Sequence, residues 1–200
     1  MELNDLGPDP EGATPLELDE LEGLKLSYIS SRAQLDAAEF KNISEADNWF
    51  RRSNIKSEQI LTTEFLIRLH KKMFGDIWGW AGHWRKRMTN IGVDWKQVPT
   101  KTTDAMGDAT YWHLNEQYPA AEFAIRLHHR LVQIHPFPNG NGRVTRAIAD
   151  YYLISLGDEP LTWGSKTLAS KSEARTAYIR ALKEADQTGN FELLIDFASS

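Results

Sequence analysis

The chain has no cysteine, which excludes a disulfide framework and any thiolate-held metal. It has no apolar run near the roughly 20 residues that cross a bilayer, so no membrane partner is expected. The start, Met1-Glu2-Leu3-Asn4-Asp5, lacks the basic end and apolar stretch of a secretion signal. A cytoplasmic location is the expectation. Positive charge is scarce: 23 Lys and Arg against 28 Asp and Glu leave a formal charge of −5. That argues against a nucleic-acid partner held by bulk electrostatics, while leaving room for a local basic pocket. Aromatic residues are plentiful by contrast, with seven tryptophans in 200 residues, read here as core and groove material.

The pattern along the chain is mainly helical. Residues 1–15 hold Gly7, Pro8, Pro10, Gly12 and Pro15 and read as an extended arm. Residues 1–50 are expected to be an arm plus a helical segment with a regulatory role, and residues 51–200 the main domain. Leu61, Phe65, Leu69 and Met73 share one face of a helix expected over Glu58 to Phe74. Ile91, Val93 and Trp95 alternate with Gly92, Asp94 and Lys96, which predicts one short β-hairpin over Arg85 to Pro99. Further helices are expected over Thr102 to Tyr118, Ala120 to Ile134, Arg143 to Leu156 and Phe191 to Phe197. Ser170-Lys171-Ser172-Glu173 has the form of a capping box and opens one more.

Chemistry concentrates in Ile134-His135-Pro136-Phe137-Pro138-Asn139-Gly140-Asn141-Gly142-Arg143-Val144-Thr145-Arg146. The segment joins two strongly patterned helices, and its two prolines stop the first. Gly140 and Gly142 let backbone amides approach a ligand, and the following helix start is a natural anion site. Arg143 and Arg146 share a face there, where the helix dipole disfavours each cation by roughly 0.3–1 kcal/mol. A bound phosphate chain resolves that conflict. His135, at the mouth of the loop, is the side chain best suited to take a proton near neutral pH. Phosphoryl or nucleotidyl transfer follows from that combination. Each residue also has a plainer reading: a helix-end hydrogen bond for His135, a turn for the glycines, solvation for the arginines. The order and spacing together favour the chemical one.

The same segment resembles the Fic family motif, H-P-F-x-[DE]-G-N-G-R-x-x-R, and departs from it only at Asn139. Leu69-His70 and Trp80-Ala81-Gly82 are similar to the upstream part of that family. From Gly12-Ala13-Thr14-Pro15-Leu16 onward the chain resembles a small bacterial subgroup known as mobile mystery protein B. The resemblance implies a helical Fic domain over 51–200 that moves AMP from ATP, with Mg²⁺, onto a Tyr, Ser or Thr hydroxyl of a target protein. It implies His135 as general base, and Gly140, Asn141 and Gly142 as the anion hole for the α- and β-phosphates. Arg143 would hold the leaving phosphates and Arg146 the γ-phosphate. Residue 139 would help to hold Mg²⁺. Ile91, Gly92 and Val93 would lie in a flap that takes the target peptide as an added strand. A separate antitoxin is a partner the family admits, as for a toxin.

Asn139 offers a neutral carbonyl where the family has a carboxylate, and Mg²⁺ prefers anionic oxygen. Another phosphate-containing donor, or a nucleotide-binding module with lost catalysis, is therefore the alternative. The family's inhibitory motif, [ST]-x-x-x-E-[GN], has no clean copy. Glu22-Gly23 has its ending but Leu18 stands at the Ser or Thr position, and Ser30 to Gln34 ends in Gln. Glu22 is the inhibitory candidate. A metal hydrolase built on His128, His129 and His135 is disfavoured, because adjacent helical residues point about 100° apart.

Overall fold

The structure is a computed structural model describing residues 21–166 and 170–200. The first long helix, α1 (Arg32–Arg51), starts where the Ser31 hydroxyl accepts the Gln34 N–H at 3.3 Å. Leu35, Glu39, Asn42, Ala46 and Phe50 form its buried face, so two polar residues share an otherwise apolar stripe. The helix expected over Glu58 to Phe74 is two helices, α2 (Ser57–Ile60) and α3 (Thr63–Phe74). The Thr62 hydroxyl accepts the Phe65 N–H at 3.1 Å, and that cap restarts the chain after a break at Leu61.

The hairpin expected over Arg85 to Pro99 does not form as paired strands. Among the described residues the only β-type pairing is an isolated bridge between Leu24 and Trp78. The alternation of Ile91 and Val93 is real, but Gly92 takes φ +109 and the Val93 N–H turns to the Ile134 carbonyl at 3.4 Å. Trp95–Gln97 is a 3-10 turn capped by Asp94, and Pro99 sits in the first turn of α4 (Val98–Leu114). A proline there needs no N–H partner.

Helices α5 (Ala120–Ile134) and α6 (Asn141–Leu156) pack more extensively on each other than any other pair. Phe123, Leu127 and Leu131 meet Val144 and Ile148 in the main core, which also takes Ile29, Leu35 and Phe50 from the amino-terminal side. Phe123 stacks on Tyr152 with ring centroids 4.1 Å apart. The last two helices are α7 (Lys171–Thr188) and α8 (Glu192–Ser199). The capping box is present: Ser170 Oγ accepts the Glu173 N–H at 3.3 Å and Glu173 Oε2 accepts the Ser170 N–H at 2.8 Å. Ala181, Leu194 and Ala198 close a smaller core against Ile125. No helix among the described residues is long and apolar enough to cross a membrane. The arm at residues 1–20, with its Gly12 to Leu16 resemblance, lies outside the described residues.

Candidate active site

Helix α5 ends at His135, whose backbone is left-handed at φ 54 and ψ 63. A non-glycine residue there carries strain of about 1–3 kcal/mol. The turn swings the chain into the loop before α6 and leaves the imidazole 5% exposed. Burial pushes its pKa down to about 4, helped by the Arg85 and Arg87 cations and opposed by the Val132 carbonyl. His135 is therefore neutral near pH 7 and able to accept a proton.

The loop is held from inside. The Asn141 side chain accepts the Phe137 N–H at 2.9 Å and donates to the Phe137 carbonyl at 2.8 Å. It is a clamp, so what Asn141 can offer a ligand is its N–H. The N–H groups of Asn141 and Gly142 lie in the first turn of α6, beyond reach of any earlier helical carbonyl. Gly140 sits at φ +76, and a Cβ there would lie 2.7 Å from the Phe74 ring. Below the loop, His70 is wholly buried and stacks on Phe137 at 3.7 Å. Its Nδ1 accepts the Gly82 N–H at 2.9 Å, so Nε2 carries the proton and donates to the Asn139 carbonyl at 3.0 Å. Burial drives its pKa to about 3.

Two cations flank the loop. The Arg143 guanidinium lies 4.7 Å from the Phe74 ring centroid and pairs through Nη1 with Glu39 of α1. Arg146, one turn on, lies 5.5 Å from the centroid of Tyr178 on α7. Tyr178 in turn meets His128 Nε2 at 2.9 Å. A cavity of about 1050 Å³ opens onto His135, residues 139–143, Arg146, Glu39, Tyr178 and the 91–93 segment. Its electropositive floor, first-turn amides and neutral imidazole suit a nucleotide's phosphates beside a hydroxyl to be deprotonated.

The structure thus gathers His135, Asn139 to Arg143, Arg146 and Ile91 to Val93 into one cavity wall. Glu22 is exposed and does not line it; the glutamate that does is Glu39, 8% exposed. Glu39 was missed because it belongs to no motif, although a Glu on the apolar face of α1 was a visible signal. Arg85, His70 and Tyr178 were missed as site residues too, since their contacts join distant parts of the chain. Asn139 Oδ1 accepts from the Gly140 N–H at 2.6 Å and from Arg143 at 3.3 Å. Asn139 thus offers a neutral oxygen that is already engaged, and no group of three His, Asp or Glu among the described residues could hold a metal by itself. His128 and His129 face different partners, Tyr178 and Asp186, which removes joint ligation. Burial pushes both below the usual histidine range.

Residues 60–153 match the profile of the Fic/DOC family. The chain is 26% identical over 137 residues to a protein adenylyltransferase Fic of Nematostella vectensis, covering 66% of this chain and 32% of the relative. It is 23% identical over 157 residues to the Aedes aegypti protein of that name, covering 70% and 32%. The matches span about a third of these relatives' length. Among solved structures, the Bartonella tribocorum effector BepC with bound AMPPNP superposes with a TM-score of 0.66 at 20% identity, covering 100% of this chain and 96% of that one. The N-terminal Fic domain of a Bartonella quintana VirB-translocated effector with bound ADP gives 0.66 at 19% identity, covering 86% of each. At these identities the likeness is one of fold.

Proposed function

We propose, from the match of residues 60–153 to the Fic/DOC family, that the chain transfers AMP from ATP to a hydroxyl side chain of another protein. The observation that carries the reading is the placement of neutral, buried His135 and the α6 start with Arg143 and Arg146 on one cavity wall. The names of the curated relatives and the nucleotides in the neighbouring structures support it.

In the proposed reaction the target hydroxyl oxygen attacks the α-phosphorus while His135 takes its proton. The bond between the α-phosphorus and the α–β bridging oxygen breaks, and pyrophosphate leaves. The first-turn amides of α6 receive charge on the phosphate oxygens, as a preorganised anion site does without reorganising. Arg143 would stabilise the leaving pyrophosphate and Arg146 its terminal phosphate. Segment 91–93, beside His135, would present the target's backbone.

The test uses ATP labelled in the α-phosphate, incubated with the protein and a cell lysate, with His135→Ala alongside. Label on protein in the wild-type sample alone supports AMP transfer. Label delivered by γ-labelled ATP in a parallel sample, and not by the α-labelled ATP, would make the enzyme a phosphotransferase. The second reading, a nucleotide-binding module without transfer, is favoured by the neutral Asn139 and predicts ATP binding with no label in either sample.

A further inference from the structure

Arg85 is 1% exposed, and its guanidinium makes four hydrogen bonds, every one to a backbone carbonyl. Nε donates to His135 O at 2.6 Å and Nη2 to Ile134 O at 3.3 Å. The other arms reach the opposite segment: Nη1 donates to Arg87 O at 2.7 Å and Nη2 also to Val93 O. The backbone repeats the pattern, with Arg85 N–H on Pro136 O at 3.0 Å and Val93 N–H on Ile134 O at 3.4 Å. Between these tethers Gly92 lies so close that an added Cβ would be 2.7 Å from His135 Cβ and 2.8 Å from Arg85 Nη2. One buried cation therefore grips both sides of the left-handed His135 and both ends of the segment that crosses it.

We propose that Arg85 is a positioning residue that holds His135 in its left-handed conformation and ties it to segment 87–93, so that a peptide seated on that segment is registered at the imidazole. The proposal rests on the reading of His135 as base and of 91–93 as the target's seat. An arginine suits the task because its planar fork offers five donors in fixed directions, whereas a lysine ammonium offers a point charge on a flexible stem. Burial holds the Arg85 pKa below its usual value, with Asp94 opposing and Arg87 reinforcing, so the group is not placed there for its charge alone. Carbonyl dipoles are what it organises. A displacement of His135 by about 1 Å is enough to cost on the order of 10²-fold in rate.

The test compares wild type with Arg85→Lys, Arg85→Met and Gly92→Ala by native-state hydrogen exchange, read at the amides of Val93 and His135. These amides bond Ile134 O and Leu131 O, on the two sides of the proposed coupling. In each variant both amides are expected to exchange at least about 10-fold faster, in step, as local opening predicts, with the Val144 amide of α6 unchanged. ATP affinity by calorimetry is expected to stay within about twofold, and kcat for transfer to fall about 10²-fold at unchanged KM for ATP. Acceleration at Val93 with His135 unmoved, or a raised KM at unchanged kcat, overturns the proposal. If Arg85→Met does not fold, Arg85→Lys and Gly92→Ala still decide it. If wild type transfers nothing, the proposed function fails, while the exchange result still rules on the coupling.

Discussion

The Glu39 carboxylate of α1 is ion-paired with the Arg143 guanidinium at the floor of the cavity, and its other oxygen accepts the Trp78 indole N–H at 2.8 Å. Trp78 is 1% exposed, so its N–H has no water to turn to. Glu39→Ala is expected to lose about 1–3 kcal/mol, the range for stranding a buried donor, in a urea unfolding series. Glu39→Gln keeps an acceptor for the indole and should recover most of that loss. It also removes an anion from beside a phosphate site, so ATP should bind it more tightly in calorimetry. Unchanged affinity would mean that Arg143 serves phosphate without leaving Glu39.

His135→Ala is expected to lower transfer by about 10²-fold or more, the scale for a general base, with ATP affinity preserved. The pH profile carries the finer test. With a folded pKa of about 4, His135 is neutral and competent across neutral pH, and loses its function only as pH falls through that value. The acid limb of kcat/KM, which reports the free enzyme, should therefore lie near pH 4, provided the fold persists there. A limb near 6.5 would mean an imidazole open to bulk water in the working state.

Helix periodicity and cap chemistry made much of this fold readable: α5 runs over the expected Ala120 to Ile134, and α7 opens on its capping box. The loop between α5 and α6 was equally legible as a turn, because glycines and prolines act through local backbone geometry. What escaped were contacts over long separations, Glu39 to Arg143 across 104 residues and Arg85 to His135 across 50. The hairpin failed for a related reason. Alternation of Ile91 and Val93 reports a two-faced extended segment, while strand pairing needs a partner, and here the Ile134 and Pro136 carbonyls on either side of His135 take the Val93 and Arg85 N–H groups.

Arg146→Ala should weaken ATP by about 10-fold or more, the scale of one charge-assisted hydrogen bond, and weaken ADP less. Its proposed partner is the terminal phosphate that ADP lacks. Arg143→Ala should weaken both nucleotides. Equal losses for ATP and ADP in Arg146→Ala, measured by calorimetry, would place Arg146 elsewhere along the phosphate chain.

Glu22→Gly is expected to leave ATP affinity and self-modification unchanged, since Glu22 is exposed and does not line the cavity. A rise in both would require residues 21–24 to reach Arg146 in another conformation.

His70 gives the stability prediction. In the fold it is neutral, with Nδ1 accepting from Gly82 and Nε2–H donating to Asn139, and burial sets its pKa near 3. Unfolded, it titrates near 6.5. Between these values the unfolded chain binds a proton that the folded chain refuses, so stability is full above pH 6.5 and is lost as pH falls toward 3. His135 adds to the same trend down to about pH 4. Protonating His70 would also put a donor where the Gly82 N–H needs an acceptor, loosening the loop from beneath. His70→Gln keeps one donor and one acceptor but loses the stack on Phe137. It should be less stable than wild type at pH 7.5 and show a shallower decline between pH 6.5 and 4. Thermal melts of both proteins across that range check it. Parallel slopes would mean that His70 is not the proton-refusing group, and that the buried histidines elsewhere in the fold carry the acid sensitivity.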